Sequence, residues 1–457
     1  MPTEAEQAAR GLQLIKEKKY AEAEALFKSS IASQEYELRK TVVADAKNAD
    51  KNSGALQTTK QKAQGKALAT AYNNLAIIYY DCGRYGDAET AYEHALSTYR
   101  QFFGRQQKFI VDCLNSLAAA YYKQGKYVDA ERYYLEELEL EKKLLKPENL
   151  AIAVTSNNLA AIYQKLGDDA DAEKYFRWAL NLCQGCKVTE AEKEQLADIL
   201  NNLAVFYERK SNYADAREMV NKALNLENSR AKGSFSPNKV RSLLVLASIE
   251  KSTDLDLDAS EDHYEEAIKL VQTSPQKRPD LECEALEKYA QLLLSERKFE
   301  EAEPIFEKAL KDFIEAHGPD HPFVADCLSE FSLLMRRTGR LAEAEAKLRR
   351  ALAIQEKTIG VDTVAYLTTL HRLAAVLSDE GRCKDADELY NAVLPKLKEK
   401  LGPMHPFVAD TMDNWAVYVE KCGNKDTAED LRASAKLIRR KIAQSLSPVY
   451  EMDTAKR

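Results

Sequence analysis

The chain has 457 residues, 45% of them hydrophobic, with 16 Gly, 12 Pro, a net charge of −7 and a pI near 5.7. That charge argues against nucleic acid as the default partner, and so little Gly and Pro suits a nearly all-helical chain. No apolar run approaches the ~20 residues that span a bilayer, and Met1-Pro2-Thr3-Glu4-Ala5-Glu6 has neither the basic opening nor the apolar core of a signal peptide. A cytoplasmic protein without membrane insertion is the expectation.

Residues 3–37 read as a first helix pair, with Tyr20-Ala21-Glu22-Ala23-Glu24 opening the second helix. Residues 38–65 form a polar insertion, rich in Lys, Ala and Gln and poor in large apolar residues. A helical extension broken by a mobile loop is expected there. Four further units occupy residues 66–230. The first opens on Tyr72-Asn73-Asn74-Leu75-Ala76-Ile77-Ile78-Tyr79, turns at Gly83 and resumes at Asp87-Ala88-Glu89. Tyr72, Leu75, Ala76 and Tyr79 share one helix face, and Ala88, Tyr92, Ala95 and Leu96 share a face of a second helix. Gly83 can take the left-handed cap between them, and Gly125, Gly167, Gly339, Gly381 and Gly423 recur at that place.

The small residue of the second helix measures the period. It falls at Ala23, Ala88, Ala130, Ala172, Ala216, Ala259, Ala302, Ala344, Ala386 and Ala428. After a first step of 65, the steps are 42, 42, 44, 43, 43, 42, 42 and 42. A fixed period of this size marks a repeat array, and Leu75-Ala76-x-x-Tyr79 followed by Ala88-x-x-x-Tyr92 fits the tetratricopeptide pattern. Residues 231–236 are a candidate joint, because Gly233 and Pro237 flank a polar stretch. Repeats 6–10 fill residues 237–442. The sixth is degenerate, lacking the Asn and the Gly turn. Pro304 and Pro395 stand inside second helices, where each is expected to kink or delay its helix. Residues 443–457 read as a polar tail.

The eight Cys follow the repeat rather than a secreted pattern. Cys113 and Cys327 share a repeat position, as do Cys82 and Cys422, so core and turn places are expected and a disulfide framework is not. Cys183-Gln184-Gly185-Cys186 is a lone C-x-x-C, whereas a zinc site takes four ligands. Neither metal nor cofactor is expected. Pro322 and Pro406 fit the first turn of a helix, which makes His321 and His405 boundary residues.

The unit resembles the kinesin light chain type of tetratricopeptide repeat. The resemblance is carried by Leu200-Asn201-Asn202-Leu203-Ala204, by the linkers His317-Gly318-Pro319-Asp320-His321-Pro322 and Leu401-Gly402-Pro403-Met404-His405-Pro406, by Ala302-Glu303-Pro304 and by Gln355-Glu356-Lys357-Thr358-Ile359-Gly360. It implies an all-α, right-handed superhelical solenoid of about ten helix pairs. The family's heptad segment before the array is not seen here. Family members bind peptide segments of other proteins in the concave groove, which the first helices line.

That placement gives candidate binding residues. The stripe beside the packing face carries Asn73 and Tyr80 in the second pair and Asn115, Tyr122 and Lys123 in the third. Asn157 and Lys165 follow in the fourth, Asn201 and Arg209 in the fifth. An Asn amide is donor and acceptor at once, so a ladder of them can pair with any peptide backbone. Lys123, Lys165 and Arg209 then favour an acidic segment or a terminal carboxylate. For the second Asn of each pair (Asn74, Asn158, Asn202) bonding to neighbouring repeats is expected instead. Equivalent later positions are Glu287, Ser329, His371 and Asp413, giving that half a more acidic face.

The expected function is a protein–protein interaction scaffold or adaptor. Alternatives are a peptide-responsive regulatory sensor, whose array compacts on binding, and a kinesin light chain-like cargo adaptor. An enzyme is not expected, since Cys183/Cys186 and His317/His321 are its only candidates.

Overall fold

A computed structural model describes residues 4–17, 19–48, 59–104, 107–147, 149–184, 189–229, 235–253, 257–274 and 278–446. Within them lie twenty helices in ten successive pairs. The first pair is α1 (Glu4–Lys16) with α2 (Tyr20–Asn48), and the second is α3 (Thr59–Asp81) with α4 (Tyr85–Phe103). Then come α5 (Lys108–Lys123) with α6 (Tyr127–Leu144), and α7 (Leu150–Leu166) with α8 (Asp169–Gln184). The middle of the chain holds α9 (Glu190–Arg209) with α10 (Tyr213–Asn228), and α11 (Pro237–Thr253) with α12 (Leu257–Gln272). The last four pairs are α13 (Pro279–Ser295) with α14 (Phe299–His317), α15 (Pro322–Arg337) with α16 (Leu341–Thr358), α17 (Val364–Asp379) with α18 (Cys383–Leu401), and α19 (Pro406–Lys421) with α20 (Lys425–Leu446).

Small residues set how closely the helices pack. Ala88, Ala130, Ala172 and Ala216 on the second helices are fully buried, as are Ala76, Ala118, Ala160 and Ala204 on the first. A larger side chain at these points would cost about 1–3 kcal/mol by overpacking. Stacked pairs are also tied at their turns. Arg84 bonds Glu24 of the pair before it at 3.0 Å, Lys126 bonds Glu89 at 2.7 Å, and Arg340 bonds Glu303 at 2.5 Å. The turn glycines take the left-handed conformation, with φ of 71° at Gly83 and 78° at Gly381. Ser211 and Arg297 hold the same place in the fifth and seventh pairs without being glycine, at φ 56° and 63°.

The structure differs from the sequence reading at several points. In the sixth pair the buried small residue is Ser260, not Ala259. Ser260 Oγ donates to the carbonyl of Ala247 at 2.8 Å, which satisfies a hydroxyl at an otherwise apolar contact. The steps on either side therefore become 44 and 42. Cys383 and Cys422 form a disulfide, with Cα atoms 6.4 Å apart, where the sequence reading placed Cys422 as a turn residue and expected no disulfide framework. Cys383 opens α18 and Cys422 caps α19, so a separation of 39 residues, close to one repeat, lays them side by side in the stack. Cys82 holds the place of Cys422 in the second pair. The place of Cys383 is taken there by Tyr20, and Cys82 stays a thiol.

Pro304 and Pro395 lie inside α14 and α18, which run through them. Helix α2 continues to Asn48 and α3 starts at Thr59, so much of the insertion is helical up to residues outside the description. Helix α20 continues to Leu446, past the expected start of the tail at 443. Of the candidate joint, 231–234 lie outside the described residues, as does Cys186 of the C-x-x-C.

One further property is not local. The turns of the second, third and fourth pairs meet the helix starts of the eighth, ninth and tenth. A β-carbon added at Gly83 would stand 2.2 Å from Pro322 Cδ, one at Gly125 3.3 Å from the Val364 nitrogen, and one at Gly167 3.3 Å from His405 Cδ2. Lys123 Nζ lies 5.9 Å from the Phe323 ring, and Tyr127 packs on the apolar core of the last four pairs. The array therefore winds back on itself after fewer than six repeats, and its concave face becomes a lumen.

Candidate functional site

First helices line this lumen. A chamber of about 550 Å3 is walled entirely by α7, α9, α11 and α13. Its polar lining holds Asn157, Asn158, Asn201 and Asn202, together with Arg241, Glu284 and Lys288. A second chamber, of about 710 Å3, spans the seam: Lys123 and Tyr127 face Glu284, Asp326, Glu330 and Arg372. A third, of about 640 Å3, lies between the third and fourth pairs and contains Asn115.

The amides are not free. Asn157 is buried and its Oδ1 accepts from Asn202 Nδ2 at 3.1 Å. Asn201 is only 4% exposed, and its Oδ1 accepts from Ser242 Oγ at 2.9 Å. Its Nδ2 has no partner, although it lines the first chamber. Asn115 donates to Glu137 Oε1 at 3.1 Å. Asn73 is half-buried. Asn115, Asn157 and Asn201 thus bond within the array, and they fall in two separate chambers rather than along one ladder.

The charged candidates divide similarly. Lys123 keeps solvent contact, yet the lumen walls lower its pKa by desolvation, with Asp326 and Glu284 opposing that shift. Lys165 is also lowered, first by desolvation and then by Arg209, Lys288 and Lys123. Arg209 forms an ion pair with Asp169. Tyr80 packs edge-on against Tyr85 and Tyr122 against Tyr127, with ring centres 5.2 and 5.5 Å apart. Desolvation pushes the Tyr80 phenol up to about 12. Tyr80, Tyr122, Asn73, Lys165 and Arg209 are not among the residues lining the three chambers.

His321 and His405 cap α15 and α19, each Nδ1 accepting from a backbone N–H at 3.2 Å, followed by Pro at the first helical position. Burial lowers them to about 3 and about 4, so both rings are neutral acceptors at neutral pH. Among the described residues no three His, Cys, Asp or Glu side chains are grouped to hold a metal ion.

Tetratricopeptide repeat models match residues 67–140, 110–185, 195–273 and 281–357, and another matches 367–407. The chain belongs to the tetratricopeptide repeat family. Among curated proteins this tetratricopeptide array is 29% identical over 143 residues to a clustered mitochondria protein homolog of Aspergillus oryzae. The match covers 31% of this chain and 11% of that protein, so the chain spans about a tenth of the relative's length. Among solved structures, a Rap protein complexed with Competence and Sporulation Factor aligns with a TM-score of 0.51 at 12% identity. It covers 96% of this chain and 99% of that one, and the likeness is one of fold. A putative kinesin light chain of Podosopora anserina with nearly identical TPR-like repeats aligns at 20% identity and a TM-score of 0.38 over 46% of this chain and 98% of that one.

Sequence reasoning missed two residues of the third chamber. Glu137 and Glu141 of α6 are 3% and 2% exposed and line it together with Asn115. The signal was in the repeat itself. The place of Glu137 is taken by Ala95, Ala179, Ala223, Ala267, Ala309, Ala351 and Ala435 in seven other tetratricopeptide units, and by Ser30 and Val393 in the remaining two.

Proposed function

We propose that the chain is a protein-interaction scaffold or adaptor that takes an extended segment of a partner protein into its lumen. The observation that carries this reading is Asn201, whose Nδ2 is a buried donor without a partner on the wall of a chamber built from four first helices. An unmet buried donor costs about 1–3 kcal/mol, and a ligand carbonyl would remove that cost. Lys165, which has only cations among the charges that shift it, favours a carboxylate on the same segment. The test is binding of a labelled extended-peptide library to wild type and to Asn201→Asp. The substitution keeps the acceptor for Ser242 and removes the idle donor. Wild-type binding that weakens about tenfold, with an unaltered helical melt, supports the reading. Equal binding by both proteins would refute the role of Asn201, and no binding by either would refute an extended-segment ligand.

A regulatory sensor is favoured by one observation, the seam between the second to fourth and the eighth to tenth pairs. A segment entering from the side would have to part it, so binding and the radius of the array would change together. Small-angle scattering with and without bound peptide distinguishes this reading: an unchanged radius of gyration leaves the scaffold alone.

A further inference from the structure

The third chamber is built differently from the other two. Its floor is the pair Glu137 and Glu141, one helical turn apart on α6 and both almost fully buried. Glu137 is held by Asn115 Nδ2 at 3.1 Å and by Thr155 Oγ1 at 3.3 Å. Glu141 has a buried Oε2 with no partner. Neither carboxylate forms an ion pair with any described residue, although the chain is rich in such pairs elsewhere. Lys108 and Asp112 stand on the wall contributed by α5 and its start, and Gln195 on that of α9. The sides are apolar, formed by Val111, Leu144, Leu145 and Val154.

Two buried acids with a vacant acceptor, placed beneath apolar walls, are an unusual use of a core position. In seven of the other nine pairs the place of Glu137 holds Ala and packs the helices tightly. Glu there gives up close packing and costs desolvation, since a buried carboxylate without a counter-charge is unfavourable. Desolvation raises each acid first; Glu141 then raises Glu137 and Asp112 raises both, against opposing hydrogen bonds from Asn115 to Glu137 and from Thr155 to both. What would relieve this is a cation that brings its own apolar stem. Lysine and arginine side chains have that build, an alkyl chain with a charged tip. About 640 Å3 gives such a side chain ample room.

We infer that the chamber between the third and fourth pairs is a specificity pocket for a lysine or arginine side chain of the bound segment, with Glu137 and Glu141 as its counter-charges and Val111, Val154 and Leu144 as the walls for its methylenes. The inference rests on the groove reading above, and it adds a basic residue to a segment whose carboxylate is drawn toward Lys165. Asn115 then has a defined task, which is to hold Glu137 with its carboxylate toward the chamber.

The test uses the full chain and two small probes. n-Butylammonium carries the stem and charge of lysine, and n-pentanol has similar reach without charge. Titration of each is followed through the side-chain carboxyl resonances of protein labelled with 13C-glutamate, in wild type, Glu137→Gln and Glu137→Ala. Butylammonium should shift the Glu137 and Glu141 carboxyl signals saturably in wild type, and the Glu141 shift should be lost or weakened at least tenfold in both variants. Pentanol should leave them unmoved. Equal responses to the two probes, no response to butylammonium, or full butylammonium binding by Glu137→Ala would each overturn the pocket. Glu137→Ala restores the residue found in most other pairs and is expected to fold, and Glu137→Gln keeps shape and hydrogen bonds without charge. Failure here with peptide binding intact removes the pocket and leaves the groove. Success here with no peptide bound supports the pocket while the groove reading falls.

Discussion

Glu137 gives the sharpest stability prediction. Its carboxyl is pushed from the ordinary 4.5 up to about 8, first by desolvation and then by Glu141, against the opposing hydrogen bonds from Asn115 and Thr155. Because the folded pKa exceeds the unfolded one, the native state binds more protons between those values. The stability this contributes is complete below about pH 4.5 and is lost as pH rises through about 8. At 1.36 kcal/mol per pKa unit the full span is about 5 kcal/mol, and relaxation with water entry should leave on the order of 2–4 kcal/mol. Glu137→Ala removes the titration. It forfeits two hydrogen bonds worth about 1 kcal/mol each and regains the packing of the other repeats.

The expectation is therefore a crossover. Near pH 5 the variant should match wild type or be slightly less stable, and near pH 9 it should be more stable by about 1–3 kcal/mol. Urea denaturation followed by far-ultraviolet circular dichroism at pH 5, 7 and 9 measures the difference. Glu287, raised to about 8, and Asp326, raised to about 6, titrate in the same direction but are present in both proteins, so they cancel. A stability difference that stays constant from pH 5 to 9 would refute the claim that Glu137 is a buried acid without a counter-charge.

Three other outcomes follow from the same structure. Gly83→Ala and Gly381→Ala each place a β-carbon at positive φ, which costs about 1–2 kcal/mol. Only Gly83 also meets Pro322, so its variant should lose a further 1–3 kcal/mol and show a larger radius of gyration, and equal losses would dissolve the seam. Reduction of Cys383–Cys422, which closes a loop of about 39 residues, should destabilise the last pairs by about 3–4 kcal/mol. Hydrogen exchange should then speed in α18–α20 and not in α3–α4, whereas uniform speeding would contradict a local clamp. Ser260→Ala leaves the Ala247 carbonyl without that donor but restores the small apolar residue used elsewhere. A change within about 1 kcal/mol is expected by thermal melting, and a loss above about 3 kcal/mol would mean that the hydroxyl is needed for the sixth pair to fold.

What was legible in the sequence is whatever depends on one repeat and its neighbour. Ala88, Ala130 and Ala172 announce the packing plane because small residues at a fixed period have one steric use. Gly83 announces the turn because few residues take its φ. The first failure is the sixth pair, where the Ala rule selected Ala259. Ser260 fills the core instead, since a hydroxyl bonded to a helix carbonyl is as compact as a methyl group, and a rule built on apolar residues does not see it. The disulfide failed for a related reason. Cys383 and Cys422 occupy different places in consecutive units, so comparison of like positions never set them together.

The candidate site was less legible because residues that share a lumen are separated by winding, not by sequence. Each tetratricopeptide unit turns by a small angle relative to the one before it, and the place where the array meets itself depends on the sum of those angles. A few degrees per unit, compounded over about six units, decide whether Gly83 touches Pro322 or faces open solvent. The pattern of one unit contains no such sum. Lys123 therefore read, with Lys165 and Arg209, as one of three cations on an inner stripe, while in the structure it lines the seam chamber with Glu284 and Asp326. Glu137 was hidden in the opposite way. Every element needed to find it was local, but the stripe that drew notice was the one facing the groove, and a charged residue in the packing column contradicts the rule that defines that column. In a repeat protein such an exception is informative because nine sibling positions supply the comparison, and each shows what packing alone would have placed there.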